Sequence, residues 1–186
     1  MSDPSRICSW KIAFALDNPI RRLIHNPRKI LGGYIEPGQT VLDIGCGPGT
    51  FSIAMAKMVG ESGKVIAVDV QEEMLQILRE KAAQQGLESR IVTQKSDPDR
   101  IGISEKVDLA LAFYMVHEVP NAVAFLEEIV SILKPNGKLL VVEPKIHVSA
   151  AAFERTIEVA RQAGLSPISE PKISFSRGKL FQLSRR

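Results

Sequence analysis

Three glycines at alternate positions, Gly45, Gly47 and Gly49, follow the apolar run Val41-Leu42-Asp43-Ile44 and lead into Thr50-Phe51-Ser52-Ile53, the apolar start of a helix. A strand that turns through glycines into a helix is a nucleotide-binding turn, because positive φ angles and a ligand against the backbone leave no room for a Cβ. The dinucleotide spacing Gly-x-Gly-x-x-Gly would need a glycine where this chain has Thr50. Asp43, two residues before the loop, would repel a pyrophosphate but attract a ligand that carries an amino group and a sulfonium. The loop therefore favours S-adenosylmethionine. A nicotinamide or flavin dinucleotide is the competing ligand, and a purely structural turn is the plain alternative.

Other side chains fit the same ligand. Asp69 ends a second apolar run 24 residues after Gly45, near the spacing at which an acid accepts from ribose hydroxyls; the alternative is a helix cap. Val70 would cover an adenine face. Asp97, before Pro98, would accept from the adenine amino group, or simply make an Asp-Pro turn. Asp43, Gly45 and Thr50 would hold the methionine portion, with Cys46, Gly47, Gly49, Pro98 and Phe113 completing the cofactor set. On the acceptor side, Phe113 to Glu118 and Glu143 to His147 point into the crevice. His117 is the first choice for catalysis, since an imidazole with a reference pKa of about 6.5 takes a proton at neutral pH. The alternative is that it only shapes its loop. Glu118 and His147 are further candidates, His25 a weaker one, and Tyr114 would offer an aromatic face to the sulfonium. Three scattered histidines without ligand spacing imply no metal site.

These residues need strands to carry them. After a helical start at Trp10 to Leu16, Asn26-Pro27 caps a helix predicted over Arg28 to Tyr34, and Glu36-Pro37-Gly38 turns into the first strand. Strands then alternate with helices: Lys64 to Val68, Ile91 to Gln94, Val107 to Phe113 and Lys138 to Val142, with helices ending near Val59, Gln85 and Lys134 and a last one over Ala151 to Ala163. Ile173 to Phe175 and Lys179 to Leu183 would form a hairpin around Arg177-Gly178. The alternation predicts a parallel α/β sheet covered on both faces, with the ligand beyond the carboxyl ends of the strands.

The 186 residues fit one domain, with residues 1–36 as a helical cap and 37–186 as the core. Two cysteines, Cys8 and Cys46, make no disulfide framework. No apolar run is long enough to span a bilayer and no signal-peptide pattern opens the chain, so a cytoplasmic chain without a membrane partner is expected. Residues 1–35 carry net charge +4 and residues 171–186 net +5, against −6 between them. Basic ends attract anionic partners, although a charge run is usually only a solvated face.

Four stretches together resemble the class I S-adenosylmethionine-dependent methyltransferases, nearest to the ubiquinone/menaquinone-biosynthesis type. They are Val41 to Thr50, Val65-Ile66-Ala67-Val68-Asp69, Val116-His117-Glu118-Val119, and Leu133-Lys134-Pro135-Asn136-Gly137-Lys138-Leu139. The resemblance implies a Rossmann-like, seven-stranded doubly wound sheet of order 3-2-1-4-5-7-6 with strand 7 antiparallel. Asn136 stands where the family commonly has glycine, and Ser96-Asp97-Pro98 where it often has Gly-Asp-Ala. The expected function is methyl transfer to a small-molecule acceptor. Alternatives are an RNA or protein acceptor held by the basic termini, and a non-catalytic adenosylmethionine-binding protein. The acceptor, the element methylated and the oligomeric state are not encoded in these motifs.

Overall fold

The computed structural model describes residues 24 to 184. The helix expected over Trp10 to Leu16, and most of the cap, lie outside the described residues. Pro27–Leu31 forms α1, with Asn26 Oδ1 accepting from the Arg28 and Lys29 amides at 3.0 and 3.3 Å. It ends at Gly32 rather than Tyr34, as the unfavourable helix entropy of Gly32-Gly33 accounts for.

Beyond α1 the chain alternates β1 (Thr40–Ile44), α2 (Thr50–Val59), β2 (Lys64–Asp69), α3 (Glu72–Gln84), β3 (Ile91–Lys95), β4 (Val107–Phe113), α4 (Ala122–Ile132), β5 (Leu133–Pro144), α5 (Ala150–Gln162), β6 (Leu165–Ser169) and β7 (Ser176–Leu183). The seven strands lie in the order β3-β2-β1-β4-β5-β7-β6. All neighbours are parallel except β7, which is antiparallel to both β5 and β6. The central strands are buried on both faces, which is why their sequences are nearly continuous apolar runs.

Side-chain alternation along the strands sorts the core into two layers. Val41, Val65, Leu109 and Leu140 pack under α1, α2 and α3; Leu42, Ile66, Ala110 and Leu139 pack under α4 and α5. Helix starts are fixed by side chains: Asn121 Oδ1 accepts from the Ala124 amide and Ser149 Oγ from the Ala152 amide. β1 has β2 on one side and β4 on the other, so the connections diverge at its carboxyl end and open a crevice there.

Two expectations need correction. The fifth strand begins at Leu133, not Lys138: Leu133 pairs with Val107, the register then shifts before Leu109, and Asn136 takes φ 66° in the bulge. Arg177-Gly178 is not a turn but part of β7, where Gly178 pairs with Val142. The hairpin partner is Leu165–Ser169, at the sheet edge that tolerates Pro167, whereas Phe175 at φ 57° turns the connecting loop.

Asn136→Gly should leave stability nearly unchanged, while Asn136→Ala should cost about 1–2 kcal/mol, because only asparagine and glycine take the left-handed conformation readily. Urea unfolding of the two variants measures the difference.

Candidate active site

The crevice holds a cavity of about 1120 Å³ that runs from the glycine turn to the ends of β4 and β5. The three glycines divide its construction. A Cβ at Gly47, φ 52°, would meet nothing within 4 Å and would project into open space on the cavity wall. A Cβ at Gly49, φ 86°, would overlap the buried Leu78 side chain of α3. Gly49 therefore lets α2 seat closely against α3, a packing requirement that stands beside the cofactor contact expected of its backbone. Gly45 lies against Met115 and Gly47 lies open, as a turn that admits a ligand to its backbone requires.

Two buried acids sit beneath this turn. Asp43 shares the α2 face of the sheet with Val41, and its Oδ2 accepts from Ser52 Oγ at 2.5 Å. Burial pushes its carboxyl up to about 7, the Ser52 hydrogen bond opposing and the nearby Asp69 charge assisting. Asp69 Oδ2 accepts from the Gly47 amide at 2.8 Å and Oδ1 from the Gln71 amide at 2.9 Å. It therefore both caps the turn into α3 and ties β2 to the glycine loop. Burial raises its pKa too, against the pull of the backbone amides. Among the described residues neither acid has a Lys or Arg partner. Two desolvated carboxylates without a countercharge suit a ligand that brings positive charge with it.

The rest of the cofactor set is placed around them. Thr50 and the half-buried Val70 line the cavity, and Asp97 and Pro98 lie exposed on its rim, where Asp97 and Arg100 exchange backbone hydrogen bonds at 3.1 and 3.2 Å. Cys46 is buried, its amide bonded to Val68 O, and burial beside two acids pushes its thiol well above the ordinary range, so it is inert. Phe113 forms a cluster with Phe51 and Tyr114, both at 4.4 Å between ring centroids, and with the edge of His25. Tyr114 takes φ 63° at the end of β4, and its hydroxyl lies 2.5 Å from Ser176 Oγ and 3.1 Å from His25 Nε2.

On the acceptor side the sequence points to His117 and, separately, to the stretch that opens with Glu143, but does not pair the two. Glu143, 1 % exposed at the end of β5, accepts from the His117 amide at 3.1 Å and from His117 Nδ1–H at 2.6 Å. This bond raises the His117 pKa, burial opposing it. Nδ1–H is held by the carboxylate, so Nε2 remains for the cavity, 3.9 Å from Glu118 Oε1. Glu118 is half-buried with a carboxyl raised by that burial, and the His147 ring lies parallel to His117 at 6.3 Å. An acid ending the apolar run Leu139-Leu140-Val141-Val142 was the available signal for Glu143: a buried carboxylate there must have a partner. No cluster of metal-ligating side chains occurs among the described residues.

The raised Asp43 pKa fixes a pH dependence. An unfolded aspartate ionises near 3.8, so between about pH 4 and 7 the folded chain holds the extra proton, and stability falls as pH rises through that window. The loss should be up to about 4 kcal/mol, levelling off above pH 7 and shrinking in Asp43→Asn; denaturant unfolding at several pH values reads it. The glycines separate by a second test. Gly49→Ala should lower stability by about 2–4 kcal/mol through overpacking on Leu78, whereas Gly47→Ala should cost about 1–2 kcal/mol yet abolish cofactor binding in calorimetry.

Known proteins match this architecture. Residues 35–167 fit the family described as "Methyltransferase domain". Over 110 residues the chain is 34 % identical to the demethylmenaquinone methyltransferase of Lactobacillus johnsonii, covering 59 % of this chain and 45 % of that protein. It is 32 % identical to the ubiquinone/menaquinone biosynthesis C-methyltransferase UbiE of Hydrogenovibrio crunogenus, covering 59 % and 43 %. The chain thus spans less than half the length of these relatives. The crystal structure of a SAM dependent methyltransferase from Aquifex aeolicus superposes with a TM-score of 0.85 at 28 % identity, covering 95 % of this chain and all of that one. Glycine turn, paired acids and seven-stranded sheet thus occur together in a chain that belongs to the methyltransferase domain family, of the class I S-adenosylmethionine-dependent type.

Proposed function

We propose that the chain transfers the methyl group of S-adenosylmethionine to a small-molecule acceptor and that His117 takes the acceptor's proton. The carrying observation is His117, which lines the same cavity as the glycine turn and is held from behind by the buried Glu143. In this reading Asp69 accepts from the ribose hydroxyls, and Asp43, Gly45, Gly47 and Thr50 hold the methionine portion. Val70, Asp97 and Pro98 flank the adenine, while Cys46 and Phe113 complete the wall. Glu118 and His147 border the acceptor.

The cofactor, when bound, supplies a methyl carbon made electrophilic by its sulfonium. The protein must align the acceptor behind that carbon, and alignment alone is worth up to about 7–11 kcal/mol. Glu143 holds the His117 ring by Nδ1–H, so Nε2 meets the acceptor in a fixed orientation and takes its proton. The link between β5 and α5, residues 145–149, is too short for an inserted lid. Ile24 and His25, ahead of α1, line the cavity instead, which supports reading the chain as a single unit whose segment before β1 contributes to the site. The relatives' names make a demethylmenaquinone-type quinone precursor the first acceptor to test, although the shared stretch does not reach over their full length. The basic termini support a second reading, an RNA acceptor, whose binding would weaken steeply with salt.

Incubation with isotopically labelled donor and a panel of quinone-precursor acceptors tests the proposal; label appearing in RNA alone would remove it. His117→Ala should lower kcat by about 10²–10⁴-fold without changing donor affinity. The rising limb of kcat against pH should lie above 6.5, because the base acts when neutral and Glu143 raises its pKa, and Glu143→Gln should move that limb downward. A His117→Ala enzyme with unchanged kcat would leave the histidine a shaping role only.

A further inference from the structure

Three apolar side chains surround the mouth of the cavity, each from a different segment. Ile146, 87 % exposed, stands on the β5–α5 link; Phe175, 72 % exposed, stands on the β6–β7 link; Ile24 precedes α1. The segments are bonded into one rim, since the Lys145 amide donates to Phe175 O at 3.0 Å and His25 Nε2 lies 3.0 Å from Ser174 O. The other exposed large hydrophobic residues, Ile24 included, are only 39–47 % exposed, so Ile146 and Phe175 stand apart from ordinary surface scatter. Phe175 is held there at φ 57°, an unfavourable backbone conformation for a bulky residue.

Cations accompany these tips. Lys145 adjoins Ile146, and Lys29 and Lys172 line a shallow depression of about 310 Å³ beside Ile24. None of the three forms an ion pair among the described residues. Glu170, close in sequence to Lys172, is already taken by Lys179 at 2.9 Å. The segment ahead of α1 and the β6–β7 link meet at this rim through His25 and Ser174.

We propose that this rim docks the cavity mouth on an anionic lipid surface, with Ile146 and Phe175 entering the headgroup layer and the lysines pairing with lipid phosphates. Among the described residues no helix is long and apolar enough to cross a membrane, but surface docking asks only for apolar tips backed by cations. A nucleic acid would use the lysines yet gain nothing from an isoleucine, which offers no ring for stacking. A second copy would bring a rim of like charge against this one.

Flotation of the full chain with phosphatidylcholine vesicles, with and without phosphatidylglycerol, tests the assignment. Binding should need the anionic lipid and weaken with salt. Ile146→Glu with Phe175→Glu should reduce it by roughly tenfold or more, and Lys145→Glu or Lys172→Glu by about fivefold or more each, with melting by circular dichroism confirming that the variants fold. No vesicle binding, or equal binding by the apolar-tip variant, would overturn the proposal. So would an RNA oligonucleotide bound through the same lysines and indifferent to Ile146 and Phe175, which would make the rim a nucleic-acid interface.

Discussion

A carboxylate kept in the protein interior without a cation beside it is costly, and Asp43 is such a group. Among the described residues its one hydrogen-bonded side chain is Ser52, and Asp69 adds a second negative charge nearby. That arrangement persists only because β1 ends where the sheet's connections part, which leaves a crevice above the acids, and because the glycine turn keeps side chains out of it. A ligand with a cationic amino group and a sulfonium relieves the cost on arrival. A pyrophosphate would add to it. In the proposed reading, the preference for S-adenosylmethionine over a dinucleotide is an electrostatic property of the strand end as much as a matter of glycine spacing.

The same strand-end logic builds the opposite wall. β4 and β5 deliver Phe113, Tyr114 and Glu143 to the crevice, and the turn after β4 brings His117 back over Glu143. A single buried carboxylate fixes both the backbone and the ring of that histidine. The proposed division of labour follows: acids beneath the glycine turn for the cationic donor, and an oriented imidazole for the acceptor.

Much of this was legible in the sequence for physical reasons. Parallel strands buried on both faces announce themselves as apolar runs, and the acids that end them, Asp43 and Asp69, mark the ligand side. What was not legible depended on contacts between distant segments. Gly49 packs against Leu78 of a different helix, and the partner of His117 lies on a strand 26 residues away. β6 was hidden by Pro167, which reads as a loop residue but is tolerated on an edge strand. The bulge at Asn136 looked like a stop because the pairing of Leu133 with Val107 precedes it.

Proton release on cofactor binding tests the electrostatic account most directly. At pH 6 the Asp43 carboxyl, raised to about 7, is mostly protonated in the free protein, and a bound cation should drive that proton off. Calorimetric titration with S-adenosylmethionine at pH 6, in two buffers of different ionisation enthalpy, should report release of close to one proton, falling sharply in Asp43→Asn. Proton uptake, or no difference between the buffers, would contradict the claim that a buried, uncompensated acid selects the ligand.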